Sequence, residues 1–272
     1  MKNTRKITKA MELVAASKMR RAVAAALRTR PYAKLAAQTV RAVVSKSGDG
    51  VQHPLLVTRA TNDRTLVVLF TSDRGLAGGY NVNMIKAVMA EIRALPAGSV
   101  DVIAVGKRGS DAMQRFKIPV LASFTGLGNT PRYEDLAPVG RMAVDAFTNG
   151  QYAHVKLAYT DFVSGVTQRP TITDVLPLKQ EAATADSSDY RFEPSPQAVL
   201  NAVLPSLIKT IFFQALLESS ASEHAARMMA MRNASDSAGE MMDSLTFTYN
   251  QVRQAAITQE IAEISSGKAA LE

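Results

Sequence analysis

The chain has 272 residues, of which 47% are hydrophobic, and it carries a formal net charge of +8 at pH 7. It contains no cysteine, which excludes disulfides, zinc–thiolate clusters and thiol nucleophiles, and its three histidines show no metal-ligand spacing. We find no run of about 18 consecutive apolar residues that would predict a transmembrane span, and residues 1–30 are too charged for a secretory signal.

The positive charge is concentrated at the start of the chain. Residues 1–50 contain twelve Lys and Arg against Glu12 and Asp49, a net charge of +10, so the rest of the chain carries −2. A segment this basic favours an anionic partner, which could be a nucleic acid, a lipid surface or acidic protein loops. The alternative is a solvated helix face, which we consider less favoured at this imbalance.

Residues 3–45 are strong helix formers without a glycine, and they predict a long first helix. Pro31 lies inside the run and should kink or locally break it. A short apolar stripe follows the proline, and Gly48 and Gly50 should end the helix. The stripe consists of Tyr32, Ala36, Val40 and Val43.

The middle of the chain predicts a parallel sheet with helices packed on it, because strand-like and helix-like runs alternate along residues 62–178. The last two strands follow each other without a helix and should form an antiparallel edge. The polar segment 179–194 is expected to be a linker loop. The predicted strands are 65–70, 100–105, 118–124, 155–162 and 171–176, and the predicted helices are 81–95, 109–116 and 133–147.

A glycine-rich turn, TSDRGLAGGYN (residues 71–81), follows the first strand and could cradle a phosphate at a helix N-terminus. Its glycines match neither the GxGxxG pattern nor a P-loop, and a structural turn is the favoured interpretation. Asp73 and Arg74 could pair or touch a neighbouring element. The sequence from Gly106 to Gly109 could likewise bind a phosphate, and a structural turn is again the favoured interpretation.

The last third of the chain predicts one helix of roughly 70 residues, or about 100 Å. Ser195 is a good N-cap and Pro196 suits the first helical position, while Pro205 interrupts the start. Such a helix must protrude from a domain of this size and have a partner along its length. Its predicted seam consists of Met228, Met231, Ser235, Ala238, Met242, Leu245, Tyr249, Val252 and Ala256. The first long helix is the obvious partner, in an antiparallel coil.

Four stretches closely resemble the γ subunit of F-type ATP synthases. They are NTRKITKAMELVAASKMR (residues 3–20), SDRGLAGGYN (72–81), SEHAARMMAMRNASDSAGEMM (222–242) and AAITQEIAEISSG (255–267). The resemblance implies an α/β protein with a coiled-coil shaft formed by residues 1–56 and 195–272 and a Rossmann-like domain at 62–178. A cysteine-containing insert of photosynthetic forms is missing, so a bacterial type is expected.

The resemblance also implies a role. The shaft would stand inside a ring of three α and three β subunits, with its foot beside the ε subunit and the c-subunit ring. It would couple proton flow to ATP synthesis or hydrolysis at the β subunits and regulate ATPase activity, without catalysis, cofactor or metal of its own. It would lie peripherally on the cytoplasmic face of the bacterial plasma membrane, without inserting into it.

The same resemblance implies which residues contact partners. Lys9, Met11 and Arg20 should lie near an acidic β-subunit loop. Polar contacts with the inner surface of the ring are expected from Arg227, Gln254, Thr258 and Glu260. An apolar bearing should receive Ile257, Ile261 and Ile264.

Two other classes of function stay open at this point. A nucleic-acid-binding coil would use the basic first fifty residues, but it offers no use for the α/β middle. A nucleotide-dependent enzyme would use the middle domain.

Overall fold

The computed structural model describes residues 1–47, 53–57, 63–128, 131–178, 193 and 195–269. Two long helices enclose a compact α/β unit in the sequence. The elements in chain order are α1 (Lys2–Ser47), β1 (Thr65–Phe70), α2 (Tyr80–Ala94), β2 (Val100–Val105), α3 (Lys107–Arg115), β3 (Val120–Phe124), α4 (Tyr133–Thr148), β4 (His154–Phe162), β5 (Gln168–Leu176) and α5 (Pro196–Ala269). The predicted linker at 179–194 lies outside the described residues except for Glu193.

The five strands form one sheet in the order β3-β2-β1-β4-β5. The first four strands are parallel, and β5 runs antiparallel to β4 at the edge, so the predicted antiparallel edge is confirmed. Every residue of β1 and β2 is buried. Their unbroken apolar runs follow from this position, since central parallel strands are covered on both faces.

Helices cover both faces of the sheet. One face packs against α4, the start of α5 and the end of α1, around Phe70, Phe147 and Phe212. The other face packs against α2, with Val67, Met84 and Met113 at its centre. The start of α5 therefore belongs to the core of the α/β unit.

The helices α1 and α5 pair antiparallel. Near the sheet, Arg30 forms a 3.2 Å ion pair with Glu218, and Thr29 hydrogen-bonds Gln214. Farther out, a Cβ added at Gly239 would lie 3.5 Å from Arg5 Cζ, so the backbone of α5 comes close to α1 there. The predicted antiparallel coil of the two terminal helices is thus confirmed.

Two prolines lie inside the long helices without ending them. Pro31 is within α1 and Pro205 is within α5, and both helices continue through these positions. The helix is therefore not broken at Pro31, and a kink there stays a prediction. The contacts of Thr29 and Arg30 with α5 hold the preceding turn in place, and such tertiary contacts offset the lost backbone hydrogen bond.

The start of α5 follows the sequence prediction closely. The hydroxyl of Ser195 accepts a hydrogen bond from the backbone N–H of Ala198 at 3.2 Å, as an N-cap does. With 74 residues, α5 spans about 110 Å.

One stretch of α5 is long and apolar enough to cross a bilayer by length and composition alone, and 44% of that stretch is buried inside the molecule. The expectation of no transmembrane span stays a prediction, because a core helix can have the same length and composition as a membrane helix. Much of the first half of α5 packs on the sheet and on α1.

The predicted seam is only partly covered. Met231, Ser235 and Ala238 are buried against the rest of the chain, whereas Leu245 and Tyr249 are exposed. The buried seam residues lie on the part of α5 that packs beside α1, and Arg5 of α1 lies beside Gly239 of α5. On α1, the predicted stripe holds at Val40 and Val43 but fails at Tyr32, which is 59% exposed.

Candidate functional site

The last part of α5, residues 243–269, has no described helix of this chain beside it, and we call it the extension. At 1.5 Å per residue it is roughly 40 Å long. Its large apolar side chains lie in water, with Phe247 being 72% and Ile264 74% exposed. The others are Leu245, Tyr249, Val252, Ile257 and Ile261. Exposed large apolar side chains in this number are typical of an interaction site.

Six of the predicted contact residues lie on the extension. They are Gln254, Ile257, Thr258, Glu260, Ile261 and Ile264, and all six are exposed. The spacing of 257, 261 and 264 places the three isoleucines on one side of the helix. The Thr258 hydroxyl donates to the carbonyl of Gln254 at 2.9 Å.

Three further predicted contact residues lie on α1. Lys9 is exposed and pairs with Glu12 at 2.9 Å, and Arg20 is also exposed. Met11 is half-buried and lines a cavity between α1 and α5. The structure thus brings Met11, but neither Lys9 nor Arg20, to the contact between the two helices and the sheet domain.

Arg227 differs from the other predicted contact residues because it is engaged within the chain. Its side chain is only 12% exposed and pairs with Glu223 at 2.7 Å. It also donates to the backbone carbonyls of Arg74 and Gly75, at 3.5 and 3.3 Å. These contacts join α5 to the loop that follows β1, and we call this cluster, together with His224, the junction.

His224 lies at the centre of the junction and is 3% exposed. Its Nδ1 atom is 3.4 Å from Arg227 Nη1. Because arginine can only donate, Nδ1 accepts, and the ring hydrogen lies on Nε2. Burial, and then the charges of Arg227 and Lys18, lower the pKa of His224 to about 4, so the ring is neutral at pH 7.

The Nε2 atom of His224 forms no hydrogen bond with any described residue. A buried donor left without an acceptor costs roughly 1–3 kcal/mol. His224 also lines two cavities, of about 370 Å³ and about 180 Å³, and Lys18 lines both of them as well. This site could not be predicted from the sequence, because its residues come together only when α1, the loop and α5 pack.

The glycine-rich turn has the structural role that was favoured for it. The Asp73 carboxylate accepts hydrogen bonds from the backbone N–H groups of Lys107, at the start of α3, and Gly126, at 3.1 and 2.8 Å. A carboxylate therefore occupies the place at a helix N-terminus where a phosphate would be stabilised. Asp73 touches a neighbouring element, as expected, and Arg74 offers its carbonyl to Arg227.

The second glycine pair serves close packing. Gly106 has a φ of +107°, and a Cβ there would lie 2.1 Å from the carbonyl oxygen of Thr71. A Cβ at Gly109 would lie 2.7 Å from the Thr71 hydroxyl, to which the Gly109 N–H donates at 2.8 Å. These glycines allow α3 to approach the end of β1.

The crevice in which doubly wound sheets bind ligands lies where the strand order reverses, here between β1 and β4. In this chain α5 fills it. The hydroxyl of Ser219 accepts from the Thr160 N–H, and the hydroxyl of Ser222 donates to the Thr160 carbonyl, both at 3.1 Å. No group of His, Asp or Glu among the described residues could hold a metal ion.

Comparisons with known proteins agree with one another. A family model described as ATP synthase matches residues 1–271. The chain is 45% identical to the ATP synthase gamma chain of Herpetosiphon aurantiacus, covering all of this chain and 95% of the relative. It is 41% identical to that of Xanthomonas campestris pv. campestris, with coverage of 100% and 96%.

Solved structures show the same similarity. The central stalk and c-ring structure of the Tetrahymena thermophila mitochondrial ATP synthase contains a chain that matches with a TM-score of 0.67 and 27% identity, over 84% of this chain and 99% of that one. A chain of the Euglena gracilis mitochondrial ATP synthase, at 20% identity, shares the fold with a TM-score of 0.68, over 99% and 90%.

Proposed function

Because the chain belongs to the ATP synthase gamma chain family, we propose that it is the rotating central shaft of the catalytic sector of an F-type ATP synthase. The observation that carries this proposal is the two-helix coil whose longer helix continues alone for roughly 40 Å. A single exposed helix with an apolar side is suited to binding inside a ring formed by other subunits.

The partners are those of a rotor. The ring of three α and three β subunits surrounds the coil and the extension, and the α/β domain stands beside the ε subunit and the c-subunit ring. The similarity to a central stalk and c-ring structure supports this arrangement. Proton flow turns the c ring, and the shaft turns with it.

The shaft acts through differences in contact free energy. Each β subunit meets a different side of an asymmetric rod, so its conformational equilibrium, and with it its nucleotide affinity, differs from that of its neighbours. Rotation passes these differences from one β subunit to the next. The ATPase activity of the ring is regulated by the same contacts.

The chain itself is non-catalytic in this proposal. Two features support this: α5 fills the crevice beside Thr160, and the Asp73 carboxylate occupies the anion position at the N-terminus of α3. The protein lies peripherally on the cytoplasmic face of a bacterial plasma membrane, held there by its partners without insertion.

The contact residues divide by region. Ile257, Ile261 and Ile264 seat in an apolar bearing of the ring, as their exposure on one side of the extension permits. On the same extension, Gln254, Thr258 and Glu260 make polar contacts with the ring. An acidic β-subunit loop approaches Lys9, Met11 and Arg20 on α1. Arg227 contributes mainly by holding α5 against the loop after β1 at the junction, since most of its N–H donors already form hydrogen bonds within the chain.

The test is reconstitution. The chain is mixed with α and β subunits of an F-type enzyme, and the native mass and the ATPase rate are measured, with the chain alone as a control. We expect a species with three α, three β and one copy of this chain, turnover well above that of the ring alone, and no hydrolysis by the isolated chain. A folded chain that forms no complex, or that hydrolyses ATP alone, would contradict the proposal. In the first case, salt-dependent DNA binding becomes the next measurement.

A further inference from the structure

Helix α5 contains a segment that is enclosed on every side. Residues 215–225 are all buried, over about three helical turns, and we call this segment the collar. A helix that is buried all round is usually apolar all round, yet six of these eleven residues are polar or charged. They are Glu218, Ser219, Ser220, Ser222, Glu223 and His224. Burial of apolar surface therefore does not account for the composition of the collar.

Two serines of the collar bond the backbone of β4 at a point where that strand has no β1 residue beside it. The pairing of β1 with β4 extends as far as Leu69 and Ala158, so Thr160 lies beyond its end. Ser219 accepts from the Thr160 N–H and Ser222 donates to the Thr160 carbonyl, both at 3.1 Å. On this side of β4, α5 therefore takes the place of a strand.

Other polar residues of the collar bond two further elements. The Glu218 carboxylate accepts from Arg30 of α1 at 3.2 Å, and the Ser220 hydroxyl donates to the carbonyl of Gly128, which follows β3, at 2.8 Å. Because Glu218 and Ser220 are two residues apart, they point to nearly opposite sides of the helix, about 160° apart. The collar is thus bonded on three sides, to α1, to β4 and to the chain after β3.

These bonds constrain the helix in a way that apolar contacts do not. The hydrophobic effect has no preferred direction, whereas a hydrogen bond weakens steeply when its donor angle falls. Among the described residues, Nε2 of His224 is the one buried side-chain polar atom without a hydrogen-bond partner, so the rest of the collar is satisfied. A polar network that is satisfied on three sides specifies one position of the helix.

We propose that the collar fixes the orientation of the coil relative to the α/β domain, with Ser219 and Ser222 as its positioning residues. A small tilt at the collar is amplified along α5. Ser244 lies about 33 Å beyond Ser222, so a tilt of about 10° displaces it by about 6 Å. This inference concerns the chain itself and does not depend on the proposed function. In the proposed rotor, the collar is the place where turning of the α/β domain passes to the coil.

Distances between two spin labels on the full chain test the proposal. Because the chain has no cysteine, Asp145→Cys on α4 and Ser244→Cys on the extension, both at exposed positions, place the labels uniquely. Pulsed electron paramagnetic resonance then measures the distribution of distances between them. We expect one narrow distribution in the doubly labelled chain. Adding Ser219→Ala and Ser222→Ala together should broaden it or shift its mean by about 3 Å or more, which corresponds to a tilt of about 5°.

Two control variants separate orientation from stability. The Ser206 hydroxyl donates to the carbonyl of Ala202 within α5, so Ser206→Ala removes a serine hydrogen bond from the same helix outside the collar. Val88→Ala removes buried apolar volume on the opposite face of the sheet and lowers the stability of the fold. Both controls should leave the distance distribution unchanged. Circular dichroism establishes that every variant is folded.

A folded double variant with the same distance distribution as the doubly labelled chain would overturn the proposal. An equal change in Val88→Ala would also overturn it, because the change would then follow from lost stability alone. If the double variant does not fold, Ser219→Ala and Ser222→Ala are measured singly. Each should then show part of the broadening or shift, and two unchanged distributions would contradict the role assigned to the serines.

Discussion

Helix α5 passes through two regions that differ in almost every respect except their secondary structure. From Leu200 to about Ala238 its inner side is buried against the sheet, α4 and α1. From Leu245 onward, the large apolar side chains are 48–74% exposed. One continuous helix therefore holds a half that packs in the core and an extension with no helix beside it among the described residues.

The comparison shows that the apolar pattern does not by itself reveal what covers it. Met231 and Leu245 belong to one regular seam, yet the first is 5% and the second 56% exposed. The difference comes from where α1 lies. Exposed apolar residues such as Leu245 do not stabilise the core, and contact with a partner protein explains their presence.

The sharpest test of the comparison applies one substitution to both regions. Phe212→Ala, at a fully buried position, should lower the free energy of unfolding by about 3–5 kcal/mol because it leaves a cavity in the core. Phe247→Ala, at a position that is 72% exposed, should change it by no more than about 0.5 kcal/mol. Urea denaturation of both variants measures the difference. Similar losses would show that the extension is packed within the isolated chain.

After the core, substitutions in the junction should lower the free energy of unfolding most. Arg227→Ala leaves the buried Glu223 carboxylate unpaired and frees two loop carbonyls, so we expect a loss of roughly 3 kcal/mol. The matched control is Arg253→Ala on the extension, where Arg253 is exposed. Thermal unfolding followed by circular dichroism compares the two. A junction variant as stable as the control would contradict the role assigned to Arg227.

Stability should also depend on pH through His224. Its pKa is lowered to about 4 in the folded chain by burial and by Arg227 and Lys18, against about 6.5 when unfolded. Since the unfolded chain takes up the proton first, stability is lost as the pH falls from about 6.5 to 4, by at most about 3 kcal/mol. Burial raises the pKa of Glu223, which acts in the opposite direction and offsets part of this loss.

Urea midpoints at pH 7, 6, 5 and 4 measure this loss, and His224→Gln is the control. The variant should show a shallower fall than the wild type over that window. Parallel curves would mean that His224 titrates normally.

The smallest effect on the isolated chain is expected from the extension. Replacing Ile257, Ile261 and Ile264 together by Ser should leave the thermal midpoint unchanged, because these side chains are 48–74% exposed. The same variant should bind α and β subunits more weakly, as native mass spectrometry can measure. Unchanged assembly would remove the three isoleucines from the proposed bearing.

Much of the fold could be predicted from local patterns. The runs 65–70 and 100–105 coincide with β1 and β2, since a strand buried on both faces is apolar at every position. The N-cap at Ser195 follows from one hydroxyl in the right place. Pro31 does not end α1, because whether a proline breaks a helix depends also on whether neighbouring residues are held by contacts from outside the helix.

The candidate site was less predictable, for physical reasons. Gln254, Thr258 and the three isoleucines could be identified only by resemblance, and the structure adds that they are exposed. The contacts of Ser219 and Ser222 with Thr160 join residues 59 and 62 positions apart, and the unpaired donor of His224 depends on burial. No local periodicity records such contacts.

The pairing of α1 with α5 also has a consequence for biosynthesis. The partner of α1 begins about 150 residues later in the chain, so at roughly 5–20 residues per second the ribosome needs on the order of 7–30 s to produce the start of α5. During that time Ala15, Ala22 and Val43, buried in the finished protein, have no α5 to cover them. Much of this surface consists of small side chains, which expose little apolar area for association before α5 is made. The many Lys and Arg residues of α1 repel copies on neighbouring ribosomes.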